Sequence, residues 1–205
     1  MNKFMISAIL CAAGSSRRMK DDNKLLLKYG NQAIITHVTA QLLSADIGEL
    51  IVVTGHQSEE IKDALSPYEG QITFVNNPRH TTGQTSSIQI GLKYVHEKAD
   101  AMMICLSDMP HITYEDYDAA IKYFRANYDG KKDLITRPFY SETPGHPVIF
   151  SKSFHKKLAI CPEEEGCRSV IKKHVYALDR FETDRSSFTS DIDTPDDYSD
   201  LLATI

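Results

Sequence analysis

Near-continuous apolar runs alternate along the chain with stretches that are apolar on one face only. Phe4–Cys11, Glu49–Thr54, Ile72–Val75, Ala101–Leu106 and Asp133–Thr136 read as strands. The first and fourth carry almost no polar interruption, the pattern of strands covered on both faces. Between them, Ile34–Leu43, Ser58–Leu65, Ser86–His96 and Tyr114–Tyr128 have helical spacing. Strand–helix alternation on this scale predicts βαβ units, and so an α/β fold with a mostly parallel sheet and helices on both faces.

The last third is less regular. Pro144-Gly145-His146-Pro147 is a turn that leads into a short strand, Val148-Ile149-Phe150. A helix is expected from near Ser151, Gly166 opens another near Arg168, and Asp193-Thr194-Pro195 caps a last one over Asp196–Leu202. There is no internal repeat, low-complexity tract or linker, so residues 1–205 read as one domain with an irregular second half.

Composition narrows the partners. The 205 residues are 41% hydrophobic and 25% charged, an ordinary globular balance. A net charge of −5 gives no bulk attraction for nucleic acid, so any polyanion must be met by a local basic site. No apolar stretch approaches the roughly 20 residues of a membrane helix. Met1–Leu10 has neither a basic leader nor a small-residue cleavage site, and is expected to be the first strand of a cytoplasmic protein. Cys11 and Cys105 end apolar runs and are expected to be buried and reduced; Cys161 and Cys167, six apart in a loop region, could pair or bind a metal, but with no Cys-x-x-Cys and no histidine at ligand spacing free thiols are the better expectation.

Ligands of open α/β sheets bind beyond the carboxyl ends of the strands, and four features fall at such ends. The first strand runs into Ala12-Ala13-Gly14-Ser15-Ser16, followed by Arg17, Arg18 and Lys24. Small residues let backbone N–H groups approach a polyanion while the cations neutralise it, which describes a triphosphate cradle. It is neither a Walker A loop nor a Gly-x-Gly-x-x-Gly fingerprint; a solvated basic turn is the plain alternative. Asp108-Met109-Pro110 puts a carboxylate where Mg²⁺ could be held, or where a turn or helix cap is needed. Asp191 and Asp193 alternate before the last helix; capping by Asp193 or Thr194 leaves a second acid available to a metal. Thr82-Gly83-Gln84-Thr85-Ser86-Ser87 precedes a helix and can read a base or phosphate, unless Ser86 or Ser87 is simply the N-cap. His146 suits a hydrogen bond to a second substrate or a structural turn. His37 and His96, on helical segments, read as ordinary surface or half-buried residues.

Together these motifs resemble the MobA-like NTP transferase family, and within it the CTP:molybdopterin cytidylyltransferases that mature the molybdenum cofactor. The resemblance rests on Leu10–Met19 with Asn23-Lys24-Leu25-Leu26, on Gly83-x-x-Ser86-Ser87-Ile88-x-x-Gly91-Leu92, and on Asp108-Met109-Pro110. Gly145-His146-Pro147-Val148, Gly166-Cys167-Arg168 and Asp191-Ile192-Asp193-Thr194-Pro195 complete the series. It implies a three-layer, Rossmann-like nucleotide-diphospho-sugar transferase fold, with a nucleotide-binding half over about residues 1–110 and an acceptor-binding half over about 111–205.

It implies roles as well. Ala12, Ala13, Gly14 and Ser15 would approach the nucleotide, Arg18 and Lys24 would hold its phosphates, and Gly83, Ser86 and Ser87 would contact the base. Asp108 with Asp191 or Asp193 would ligate Mg²⁺, making Arg18, Lys24 and Asp108 the catalytic set. Gly145, His146, Pro147 and Arg168 would face the acceptor. The Ala12-Ala13-Gly14 turn leans towards CTP. The implied reaction moves CMP from CTP to the terminal phosphate of molybdopterin or Mo-molybdopterin and releases pyrophosphate, serving a molybdenum hydroxylase such as xanthine dehydrogenase.

Sugar-phosphate or methylerythritol-phosphate cytidylyltransferases share the opening loop but not the later motifs. A GTP-using guanylyltransferase keeps the fold with another base. A non-catalytic cofactor chaperone is disfavoured, because Lys24, Asp108 and both late acids are present. Lys20 stands where the family commonly has glycine, Cys167 where alanine is usual, and Gln84 is uncommon at its position.

Overall fold

The computed structural model describes residues 4–16, 18–19, 23–163 and 166–204. Arg17 and Lys20, singled out in the opening loop, lie outside them. In chain order the strands are β1 (Ile6–Ala12), β2 (Lys28–Tyr29), β3 (Gln32–Ala33), β4 (Glu49–Thr54), β5 (Thr73–Asn76), β6 (Ala101–Leu106), β7 (Ile135–Tyr140), β8 (Thr143–Pro144), β9 (Val148–Ser151) and β10 (Leu178–Thr183). The α-helices are α1 (Ile34–Ser44), α2 (Ser58–Ala64), α3 (Gln84–Leu92), α4 (Tyr114–Asn127), α5 (His155–Ala159), α6 (Gly166–Lys173) and α7 (Pro195–Leu202).

One sheet runs in the order β10-β7-β9-β6-β1-β4-β5, with β8 added to β7; β2 and β3 form a separate hairpin. β5, β4, β1 and β6 are mutually parallel, and β9 lies antiparallel between β6 and β7. Because successive side chains point to opposite faces, each strand feeds two cores. Ala8 and Leu10 of β1, Leu50 and Val52 of β4, and Met103 and Cys105 of β6 pack with α1, α2, α4 and α7. Their alternates Ile9, Ile51, Val53, Met102 and Ile104 pack with α3, α5 and α6. That double burial is why the strands read as unbroken apolar runs. Each fully buried Ile, Leu or Val contributes roughly 1.5–3 kcal/mol relative to exposure. The layers are therefore helix, sheet, helix.

The order has a consequence for function. From β1 the chain builds outward through β4 and β5, then returns to place β6 on the other side of β1. The crevice at such a reversal, outside the carboxyl ends of the two strands, is where this architecture binds ligands.

Several expectations shift. α3 starts at Gln84, because Gly83 takes a φ of 112° at the position before the helix. It ends at Leu92 rather than His96. β9 includes Ser151, so the helix expected there follows a 3₁₀ turn and begins at His155. β7 is longer than expected and continues through Pro138, whose carbonyl accepts from the Gly145 N–H at 2.8 Å. The strands β2, β3, β8 and β10 were not anticipated. All four cysteines are free thiols, with Cys11 half-buried.

Candidate nucleotide and metal site

The carboxyl ends of β1 and β6 lie side by side, Cys11 paired with Leu106. The Ser107 hydroxyl fastens the loop after β6 by donating to the Cys11 carbonyl at 2.7 Å. Asp108 follows, and its carbonyl accepts from the Ile192 N–H at 2.8 Å, drawing the late acidic segment to the same place.

The helix-capping alternatives for these acids are excluded by geometry. Thr113 caps α4 and Thr194 caps α7, each in a reciprocal capping box with the acid three residues on. Asp108 and Asp193 are thereby left for other work. Ligand atoms of Asp108, Asp191 and Asp193 lie within 4.8 Å of one another.

The opening loop supplies the cations. Ser16 takes a φ of 46°, and its hydroxyl accepts from the Lys24 N–H at 3.1 Å. Asn23 caps the 3₁₀ turn Lys24–Leu26, and Leu25 is buried beneath it. Lys24 is thus fixed where its Nζ donates to Asp108 Oδ2 at 2.6 Å and Asp193 Oδ1 at 2.7 Å. Arg18, largely exposed, pairs with Asp193 Oδ2 at 2.7 Å.

Burial disfavours the charge on Lys24, but Asp108 and Asp193 outweigh it and hold the ammonium above its ordinary pKa. Asp193 shows the reciprocal effect: burial pushes it up, and the hydrogen bonds and charges of Lys24 and Arg18 together more than reverse that. Asp191 is raised, by burial and then by Asp108 and Asp193. One atom stays unanswered. Asp108 Oδ1 is buried with no hydrogen-bond partner.

A cleft of about 420 Å³ opens over this cluster. Of the residues singled out in the sequence, Ala13, Gly14, Ser15, Arg18, Lys24, Gly83, Ser87, Asp108 and Asp193 line it. Ala12 does not; it is the buried last residue of β1. Ser86 is likewise behind the wall. Fully buried, its hydroxyl donates toward the Gly83 carbonyl at 2.8 Å and accepts from Asn77 at 2.8 Å, so it braces the loop and does not reach a base. Neither Ser86 nor Ser87 is an N-cap, since both lie inside α3.

His80, Thr81 and Ser107 also line the cleft and were missed. Ser107, directly before Asp108 at a strand end, was findable; the loop after β5 offered no periodic signal. Cys11 faces the cleft too, and burial pushes its thiol pKa up, so it is a neutral wall and no nucleophile.

The residues that the resemblance assigns to the acceptor lie outside this cleft lining: Gly145, His146 and Pro147 in the connection leading into β9, and Arg168 on α6. Gly145 and Pro147 are buried, His146 is half-buried, and Arg168 is exposed on α6. A Cβ on Gly145 would lie 2.2 Å from the Phe188 carbonyl oxygen, so glycine is required there by packing. Burial, and secondarily Arg137, push the His146 pKa down to about 4.

A mostly parallel sheet with a cleft at its reversal point, lined by a small-residue loop, cations and carboxylates, is an arrangement that suits a protein of the nucleotidyltransferase class. Residues 8–178 match the MobA-like NTP transferase domain family, and the chain belongs to that family. It is 26% identical to the molybdenum cofactor cytidylyltransferase of Escherichia coli strain K12, over 94% of this chain and 93% of that protein. The Mycobacterium tuberculosis protein Rv0371c superposes with a TM-score of 0.82 at 22% identity, covering 98% of this chain and 100% of that one. Its manganese complex gives 0.78 at 21% identity, with coverages of 98% and 100%. A CMP:2-keto-3-deoxy-manno-octonic acid synthetase complexed with CTP gives 0.76 at 13% identity, covering 98% of each chain. Among the described residues no helix is long and apolar enough to cross a membrane.

Proposed function

We propose that this protein is a divalent-metal-dependent cytidylyltransferase that moves CMP from CTP to the terminal phosphate of molybdopterin, or its molybdenum-loaded form, releasing pyrophosphate. The observation that carries this reading is the convergence of Lys24, Asp108 and Asp193 in the cleft lined by the Ala13–Ser16 loop at the β1/β6 reversal, with the exposed Asp191, outside the cleft lining, within 4.8 Å of the other two acids. A Cβ built on Gly14 meets nothing within 4 Å, so folding does not demand glycine there; a phosphate lying against the backbone would.

The donor set fits a hard cation. Three carboxylates offer oxygen ligands, and the orphaned Asp108 Oδ1 is a buried acceptor in search of a positive charge. Mg²⁺ or Mn²⁺ held by Asp108 with Asp193 and Asp191 would supply charge neutralisation at the reacting phosphates. The manganese complex of Rv0371c is a precedent for a cation on this fold.

Arg18 and Lys24 would turn from the acids to the β- and γ-phosphates and stabilise the leaving pyrophosphate. The acceptor's phosphate oxygen is already ionised. Its attack on the α-phosphorus forms one P–O bond as the bond to pyrophosphate breaks, and no side chain has to remove a proton. A neutral Cys11 in the wall is consistent with that. Cytidine and molybdopterin are favoured by the E. coli relative's name and by the Ala12-Ala13-Gly14 turn. Free thiols suit a cytoplasmic setting, and a molybdenum hydroxylase would be the consumer of the product.

The test is pyrophosphate release from CTP, GTP and ATP, with and without molybdopterin. Release should require CTP, molybdopterin and a divalent metal, and should fall by roughly 10²–10³-fold in Asp108→Ala. Near-normal turnover of that variant sinks the metal assignment; turnover with methylerythritol phosphate or a sugar phosphate instead sinks the acceptor.

A further inference from the structure

Arg137, on β7, was not singled out by any sequence motif. Its Nε donates to the Gly145 carbonyl at 3.0 Å and its Nη2 to the Pro144 carbonyl at 3.3 Å, so the guanidinium is held against the turn that carries His146. Nη1 has no protein acceptor among the described residues, and neither Arg137 nor Arg168 has a carboxylate partner among them. Most other arginines here do: Arg18, Arg79, Arg125, Arg180 and Arg185 are all ion-paired. A half-buried, tethered guanidinium with no counter-ion among the described residues is costly unless an anion completes it.

The surroundings agree. Burial and then Arg168 lower the pKa of Arg137, and after burial Arg137 and Arg168 also lower that of His146, so the three side chains stand within electrostatic reach of one another. His146 Nδ1 is buried without a partner beside them. The cluster also adjoins the nucleotide cleft. A Cβ on Gly166, at the start of α6, would lie 2.7 Å from Thr85 Oγ1 in the first turn of α3, and Gln84 and Ser87 of that turn line the cleft.

We propose that Arg137 and Arg168 form a clamp for a phosphate monoester, the attacking group of the acceptor. Two guanidinium forks match the geometry of a phosphate dianion and offset its repulsion from the triphosphate next door. Held this way, the phosphate is oriented before attack, and the guanidinium groups leave one of its oxygens free to form the new P–O bond. The proposal rests on the transferase reading and gives its acceptor half a charge and a ligand class.

The probe is inorganic phosphate, titrated calorimetrically into the intact protein saturated with a non-hydrolysable CTP analogue and Mg²⁺. Wild type should bind phosphate with the nucleotide in place. Arg137→Gln and Arg168→Gln should each weaken that binding by about tenfold or more, and Arg137→Lys by less, because a lysine keeps charge but not the fork. Affinity for the analogue should change less than about twofold. Arg168→Gln, on the exposed face of α6, decides the matter even if Arg137→Gln loosens the turn. Equal phosphate affinity in wild type and both variants overturns the clamp, as does phosphate binding that vanishes when the analogue occupies the cleft. Failure of wild type to bind the analogue at all would instead count against the transferase reading. With molybdopterin as acceptor, its KM should rise about tenfold in Arg168→Gln while KM for CTP stays put.

Discussion

Glycine does opposite jobs in the two halves of this molecule. Gly14, in the loop after β1, has open space where its Cβ would be, and it lines the cleft. Gly145, in the turn before β9, has the Phe188 carbonyl there, and it is buried. The first half rests on four parallel strands covered on both faces, so its loops are released from structural duty and can be shaped for a ligand. The second half threads an antiparallel strand and short helices onto the sheet, and its turn must hold itself together before it can bind anything. A small residue at a strand end is thus evidence for a ligand only once packing has been shown not to require it.

That contrast can be attacked in order of expected effect. Lys24→Ala should cost the most, roughly 10²–10³-fold in the rate of pyrophosphate release, with folding intact by circular dichroism. The ammonium pairs with two acids and, in the proposed reaction, would hold a phosphate, so removing it leaves all of them unmatched. Gly145→Ala should destabilise by about 3 kcal/mol, read by chemical denaturation, since the added methyl meets backbone that cannot move aside.

His146 gives the second half a pH signature. Its folded pKa lies near 4 against an ordinary 6.5, so between those values the unfolded chain binds more protons. Stability should therefore fall as pH drops through that window, by an amount on the order of 2 kcal/mol, and His146→Gln should flatten the slope. Gly14→Ala should leave denaturation unchanged and weaken CTP by about tenfold. If Gly14→Ala unfolds the protein, or Gly145→Ala is neutral, the contrast between the halves is wrong.

The legible parts of the fold and site are those with local causes. β1, β4 and β6 announce themselves because double burial forces uninterrupted apolar runs. Lys24, Asp108 and the late acids were legible as charges at strand ends, and they converge. The edge strand β10 was not, because Leu-Asp-Arg-Phe-Glu-Thr needs only one covered side and reads as polar surface. The hairpin β2–β3 is too short for a period to show. Ser86 resembled a ligand residue because burial of a hydroxyl against Asn77 is a long-range fact. Arg137 escaped for the same reason: its partners are carbonyls of a turn seven and eight residues on, and the role proposed for it rests on its having no carboxylate partner among the described residues.

In the proposed reaction, the acids below the opening loop hold a divalent cation together with the nucleotide. Electron paramagnetic resonance titration of Mn²⁺ measures this directly. Wild type should bind Mn²⁺ more tightly when CTP is present, and Asp108→Asn should weaken that binding by about tenfold or more without loss of fold. Mn²⁺ affinity that is the same in wild type and Asp108→Asn, with or without CTP, would contradict it.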